Sequence, residues 1–405
     1  MLAYPNYDKS VLSVISSIKN YYRTSYAYPT SEILDKELSK RYKNIVLINL
    51  DGLGTNLLED SVPKSDFLRK NFKLSVSSVY PSSPTASLVS LVSGLSPNEH
   101  GWLGSSLYLK EYSRMIDIVL NSDAYTRQSV SNIRVGDYVM PYESVFEDLT
   151  HFAAGNVQPF AVSVDGAGIP EKDCLQKYAE DFDRVCEIIA MISRTDQNTF
   201  TFVQWNKIME TAQKLGCDSV QVKENISSIS RQIHNLCGEI EDTLIIVSSG
   251  HGMTDISEEI LINNMHDIME CLIIPPFVED RAISFFVKSD RRTDFERLFN
   301  SEFSGEFLLI SRNDFLSKGI LGAGNTHVKT SDFIGDYFAC AISDVSIKYR
   351  SPIEKPKAAF KAGFGGLTEN EMFVPVIFAS TAKKKKPVLK ISELFSSGNL
   401  EALIK

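Results

Sequence analysis

Short apolar runs alternate with amphipathic stretches along most of this chain, and that alternation restricts the fold more than any other feature. Runs at 45–50, 74–79, 160–164, 199–204 and 244–248 read as strands. Stretches at 145–154, 175–193 and 220–237 carry the three-to-four-residue apolar spacing of helices. Strands that alternate with helices predict βαβ units and a largely parallel sheet, with chemistry at the carboxyl ends of strands. Asp51, which follows the first strong strand and precedes a glycine turn, sits at such an end.

The totals narrow the class further. A chain of 405 residues with 43% hydrophobic and 23% charged residues is that of a globular protein. A net charge of -9 argues against a nucleic-acid binder, which carries a basic domain. No apolar run reaches the ~18 residues of a membrane span, and the first residues lack the basic start and apolar core of a leader. The six cysteines are scattered singly, the pattern of reduced thiols, so a cytoplasmic location is expected. Four consecutive lysines at 383–386 read as a solvated loop, with a phosphate or anionic-lipid contact as the sharper alternative.

The organisation expected is an N-terminal helical segment over 1–40, packed on a core formed by 41–255 and 336–380. A small α+β subdomain, 256–335, interrupts that core, and 381–405 forms a tail. Within the insertion, 281–288 and 307–311 read as strands and 293–299 as a helix; 337–342 and 372–379 read as late core strands.

Six segments carry a resemblance. They are Asn44-Ile-Val-Leu-Ile-Asn-Leu-Asp-Gly-Leu-Gly-Thr55, the 79–102 stretch with Gly94-Leu-Ser-Pro-Asn-Glu-His-Gly-Trp102, and Phe200-Thr-Phe-Val-Gln-Trp205 with Gly216. Ser248-Ser-Gly-His-Gly-Met253 and Lys361-Ala-Gly-Phe-Gly-Gly-Leu-Thr368 complete the set, with Gly322-Ala-Gly-Asn-Thr-His327 between them. In this order and spacing the chain resembles the alkaline phosphatase superfamily, in its nucleotide pyrophosphatase/phosphodiesterase branch. The resemblance implies an α/β fold with an alkaline-phosphatase-like core, its largely parallel central sheet flanked by helices. It also implies two zinc-like ions and a Thr or Ser nucleophile that attacks phosphorus between them.

Position by position, most of that chemistry is replaced. At the first ion, Asp51 and His251 match family ligands, whereas Gly250 stands where an Asp belongs. Asp255 lies close enough in sequence to be considered as a substitute. At the second ion, Met209 takes the place of an Asp, Gln213 of a His, and Gly363-Phe364 of the late His. Glu210 is one residue out of register, which turns it ~100° away on a helix. The nucleophile position falls on Pro84, which has no nucleophilic atom; Ser83 and Thr85 flank it as the candidate attackers. His100 reads as structural, His327 as a loop residue outside the metal set, and His151, His234 and His266 as surface residues of helices.

Three functional readings follow. The first is an inactive or impaired pseudoenzyme that binds a phosphate ester or nucleotide, an active relative or another protein. The second is a phosphoric ester hydrolase with one divalent ion, zinc or manganese, weakly held by Asp51 and His251, with Ser83 or Thr85 attacking. The third is an interaction protein without a small-molecule ligand.

Overall fold

The computed structural model describes residues 1–153, 155–164, 172–354 and 358–382. The lysine run at 383–386 and the rest of the expected tail lie outside the described residues.

Seven strands form the central sheet, in the order Phe72–Ser77, Phe373–Ser380, Thr243–Ser248, Asn44–Leu50, Asn198–Trp205, Val157–Ser163 and Leu175–Tyr178. Only Phe373–Ser380 runs antiparallel to its neighbours. The class is α/β with a largely parallel sheet, as the alternation predicts. Every residue of Asn44–Leu50 and Thr243–Ser248 is buried. Such strands must be apolar on both faces, which is why they read as continuous apolar runs. Ile45, Leu47, Phe200 and Phe202 join the core on one face, together with Leu12, Val14 and Ile15 of the N-terminal helix Val11–Tyr21. Val46, Ile48, Leu50, Val203 and Trp205 join the core on the other, under the helices Phe182–Ser193 and Val220–Glu239.

A second, antiparallel sheet also has seven strands. Its order is Phe307–Ser311, Tyr337–Ala341, Ala282–Phe285, Phe277–Glu279, Ser106–Leu109, Arg114–Asp117 and Ser122–Asp123. This corrects two expectations. The strand at 337–341, read as a core strand, pairs instead with Ala282–Phe285 and Phe307–Ser311. An apolar run fits either sheet, and only the pairing decides between them. The strands at 106–123 went unread because they are short and half polar; they form by pairing with one another and, at Val278, with a distant strand. A third correction concerns 175–193. Its first part is the edge strand Leu175–Tyr178, and the helix begins only at Phe182, where the Asp181 carboxylate accepts the Arg184 N–H as a cap. No helix of the described residues is long and apolar enough to cross a membrane.

One contact ties the two sheets together. Arg281, just before the Ala282–Phe285 strand, and Glu371, just before Phe373–Ser380, form a pair that is 1% and 0% exposed. Arg281 donates from Nε and Nη2 to the two Glu371 oxygens at 2.7 and 2.8 Å. Its remaining donors reach the Ser343 and Val345 carbonyls at 2.6 and 2.7 Å. Glu371 also accepts from the Gly366 N–H and the Thr368 hydroxyl. Its two oxygens are thus held on all sides, which a buried charge pair requires.

Candidate functional site

Asp51 follows the Asn44–Leu50 strand at the carboxyl edge of the sheet and is buried. Strand register places Asn49 beside Gln204 on one neighbour and Ser248 on the other. Two amides therefore reach Asp51. Asn49 Nδ2 donates to Oδ1 at 2.9 Å and also to Gln204 Oε1 at 2.6 Å. Gln204 Nε2 donates to Asp51 Oδ2. The Asn49 side-chain oxygen in turn accepts the Gly250 N–H at 2.8 Å, so one carboxamide joins the Asp51 turn, the Gln204 strand and the Gly250 loop. Burial pushes the Asp51 carboxyl up to about 7, with the two amide donors acting against that rise.

His251 is fully buried on the loop after Thr243–Ser248. Its Nδ1 donates to the Gly252 carbonyl at 2.8 Å, which leaves Nε2 as an acceptor. That Nε2 is buried and has no partner among the described residues. The Phe364 ring packs against the imidazole, 5.2 Å between centroids and tilted by 57°. Burial pulls His251 down to about 4.

Gly250 has no room for a side chain. A Cβ built there would lie 2.2 Å from Ser87 Oγ and 2.7 Å from Ser87 Cβ. Ser87 is fixed by donating to the Ser83 carbonyl at 2.7 Å. It belongs to the helix Pro84–Ser93, which opens with Pro84 in its first turn and ends at Gly94 with φ 75°. Proline suits a helix start, where its missing N–H costs no bond. Ser83 is the cap of that helix, its hydroxyl accepting the Ala86 N–H, and it is fully buried. Thr85 is buried one turn position on.

Of the other candidates, Gln213, Gly363 and Phe364 line one cleft. The Asp255 carboxylate accepts the Cys217 N–H at 2.5 Å and sits against Gly216. Met209 lies against the Asp51–Gly52 turn, its Cβ 3.2 Å from where a Gly52 Cβ would stand. Gln213 sits at the end of the helix Lys207–Leu215, its carbonyl accepting the Lys361 N–H at 2.8 Å. Gly363 pairs with Thr254 in a two-residue ladder. His100 is fully buried, accepts the Trp102 N–H and contacts Ser90 Oγ, a structural arrangement.

A family ion needs three or four protein donors. Here the Asp51 oxygens are occupied by amides, Gly250 offers no donor and no space for one, and His251 contributes a single nitrogen from a ring packed against Phe364. Among the described residues no group of three or more His, Cys, Asp and Glu is placed to hold a metal. The side chains present do not fit a two-ion centre. The amide clamp was missed in the sequence, although it left a trace: Asn49 and Gln204 are polar residues inside otherwise apolar strands.

The titrations of Asp51 and His251 oppose each other. Asp51, raised, contributes stability that is lost as pH climbs from about 4 to about 7; His251, lowered, contributes stability that is lost as pH falls from 6.5 toward about 4. Asp51→Asn removes the first effect and leaves the second. Its urea midpoint should therefore rise more between pH 5 and pH 7 than that of the wild type. An unchanged difference would show that Asp51 ionises as an ordinary carboxyl.

A family model described as type I phosphodiesterase/nucleotide pyrophosphatase matches residues 45–292, more than half of the chain. Human bis(5'-adenosyl)-triphosphatase ENPP4 is 23% identical over 240 residues, which cover 54% of this chain and 49% of that protein. The chain thus spans about half the length of the curated relatives it matches. Murine ectonucleotide pyrophosphatase/phosphodiesterase 5, solved as an inactive variant with AMP, superposes with a TM-score of 0.62 at 17% identity, over 85% of this chain and 90% of the other. Phosphonoacetate hydrolase from Sinorhizobium meliloti, with phosphonoformate, gives 0.59 at 14% identity, over 84% and 91%. At these identities the superpositions establish the fold.

Proposed function

Because the chain belongs to the type I phosphodiesterase/nucleotide pyrophosphatase family, we propose that it is a member that has lost two-ion hydrolysis and acts by binding. The observation that carries this reading is the packing at Gly250, where Ser87 fills the volume of the missing carboxylate. The amide clamp on Asp51 supports it, because two N–H donors satisfy the carboxylate that an ion would otherwise neutralise. The nucleophile position supports it as well. Pro84 has no attacking atom, Ser83 caps a helix, and a buried hydroxyl without a base or metal is a poor nucleophile.

One observation favours a single-ion hydrolase instead: the unpartnered lone pair of His251 Nε2, a nitrogen that could ligate zinc or manganese. Elemental mass spectrometry after dialysis, paired with hydrolysis of bis(4-nitrophenyl) phosphate in added zinc or manganese, separates the two. The binding reading expects well under one ion per chain and no metal-dependent turnover. Metal-dependent hydrolysis that disappears in Asp51→Ala would replace it with the hydrolase. A phosphate ester such as AMP, which the similar murine protein holds, is tested on the same samples by thermal shift, since a ligand of the folded state raises the melting temperature. A flat response to every phosphate ester would direct the search to protein partners or to another ligand class.

A further inference from the structure

A cleft of about 390 Å³ lies between the antiparallel sheet and the paired strands Glu258–Leu261 and Val345–Lys348. That volume is in the range of small-ligand sites. Gln213, Gly363 and Phe364 line it, so its inner end meets the positions where the family places its second ion. Tyr125 and Tyr349 form an aromatic corner in its wall, 6.1 Å between centroids and 67° between planes. Phe277 lines it as well, backed by a stack on Phe286 at 5.9 Å.

The charges lining the cleft are unevenly matched. Arg281 is committed to Glu371. Arg127 lies 2.7 Å from Asp117. Lys348 Nζ is 3.5 Å from both Glu259 and Asp280, and Arg350 approaches Glu259 at 3.9 Å. Glu279 has no such cation. One of its oxygens accepts the Ser105 N–H at 3.1 Å, and the other has no partner among the described residues. Burial pushes the Glu279 carboxyl up to about 8, and the neighbouring charges of Asp280 and Asp117 add to the rise. Asp280 is raised as well, by burial, with Lys348 acting against the rise and Glu259 and Glu354 adding to it. Carboxyls that raise one another are relieved by a cation and aggravated by a phosphate.

The cation that fits is organic. Among the described residues no His, Cys, Asp and Glu cluster is placed for a metal, whereas aromatic faces attract ammonium groups. The cleft already seats one in this manner. Lys348 Nζ sits 5.3 Å from the centroid of Phe360, between its two carboxylates.

We propose that this cleft binds a primary alkylammonium ligand, with Glu279 as its counter-charge and the Tyr125–Tyr349 corner as its apolar wall. The proposal rests on the binding role argued above and assigns the ligand class that role takes. It differs from the phosphate esters of the similar proteins because the cations of this wall are already paired.

Isothermal titration of the full chain with cadaverine and spermidine, against pentanediol as a neutral isostere and AMP, tests it. The ammonium ligands should bind at least about tenfold more tightly than pentanediol, about 1.4 kcal/mol in their favour. Glu279→Gln should erase most of that preference. If Glu279→Gln melts out, Tyr349→Leu, on the half-buried wall, should weaken the amines by about tenfold through loss of the ring face. Equal affinity for pentanediol, no amine binding, or tighter binding of AMP would each overturn the proposal. Metal content and phosphodiester hydrolysis are read on the same samples. A protein that hydrolyses and also binds amines would sink the non-hydrolytic reading alone; an inert protein that ignores amines would sink this one alone.

Discussion

Glu371→Ala is expected to cost about 3–5 kcal/mol of folding stability, because it strands the Arg281 guanidinium in a site closed to water. Against the 5–15 kcal/mol of a typical domain, that is a large share. Arg281→Met should cost a similar amount, since it leaves the Glu371 carboxylate with only the Gly366 N–H and the Thr368 hydroxyl. The two act on one unit, so the double variant should lose less than the sum of the singles. Urea unfolding of the three variants measures this. Strict additivity, or single losses below about 1 kcal/mol, would mean that the pair is not the bolt between the sheets described above.

The second large effect concerns the closed carboxylate seat. Gly250→Asp should destabilise by about 2–4 kcal/mol, through a clash with Ser87 at 2.2 Å and through a buried carboxylate with no partner. Adding Ser87→Gly removes the obstructing atoms, at a helix-propensity cost of about 1 kcal/mol. If the seat is closed sterically, the combined variant should melt above Gly250→Asp in spite of that cost. Zinc should leave the melting temperatures of the wild type and of Gly250→Asp unmoved, because a bound ion would raise them. A wild type stabilised by zinc would reopen the single-ion hydrolase, whatever the double variant does.

Both effects depend on residues far apart in the chain, and this separates what was legible from what was not. The central strands could be read because a strand buried on both faces announces itself locally. The Phe307–Ser311 strand was placed to the residue because its first four residues form a short apolar run. Asp51, His251 and Pro84 were singled out through the family resemblance; Asp51 and His251 lie in loops after buried strands, and Pro84 in the first turn of the helix that ends at Gly94. The strands at 106–123 were illegible because their stability lies in pairing partners, not in their own pattern. Leu175–Tyr178 was hidden because an edge strand of four residues has too little periodicity to oppose the helix that follows it.

The sequence by itself determined the class of fold and the places along the chain of most core strands, and it puts Met209, Gln213, Gly250 and Gly363 where the resemblance expects ligand-type side chains. It did so because apolar periodicity and side-chain chemistry are local properties. Only the tertiary structure decided what replaced them. Gln204 reaches Asp51 across 153 residues and Arg281 reaches Glu371 across 90. Ser87 fills the space beside Gly250, and the cleft draws its wall from the antiparallel sheet, the strand pair beside it and the loop that carries Phe364. Contacts of that range follow from strand order and register, which no local pattern encodes.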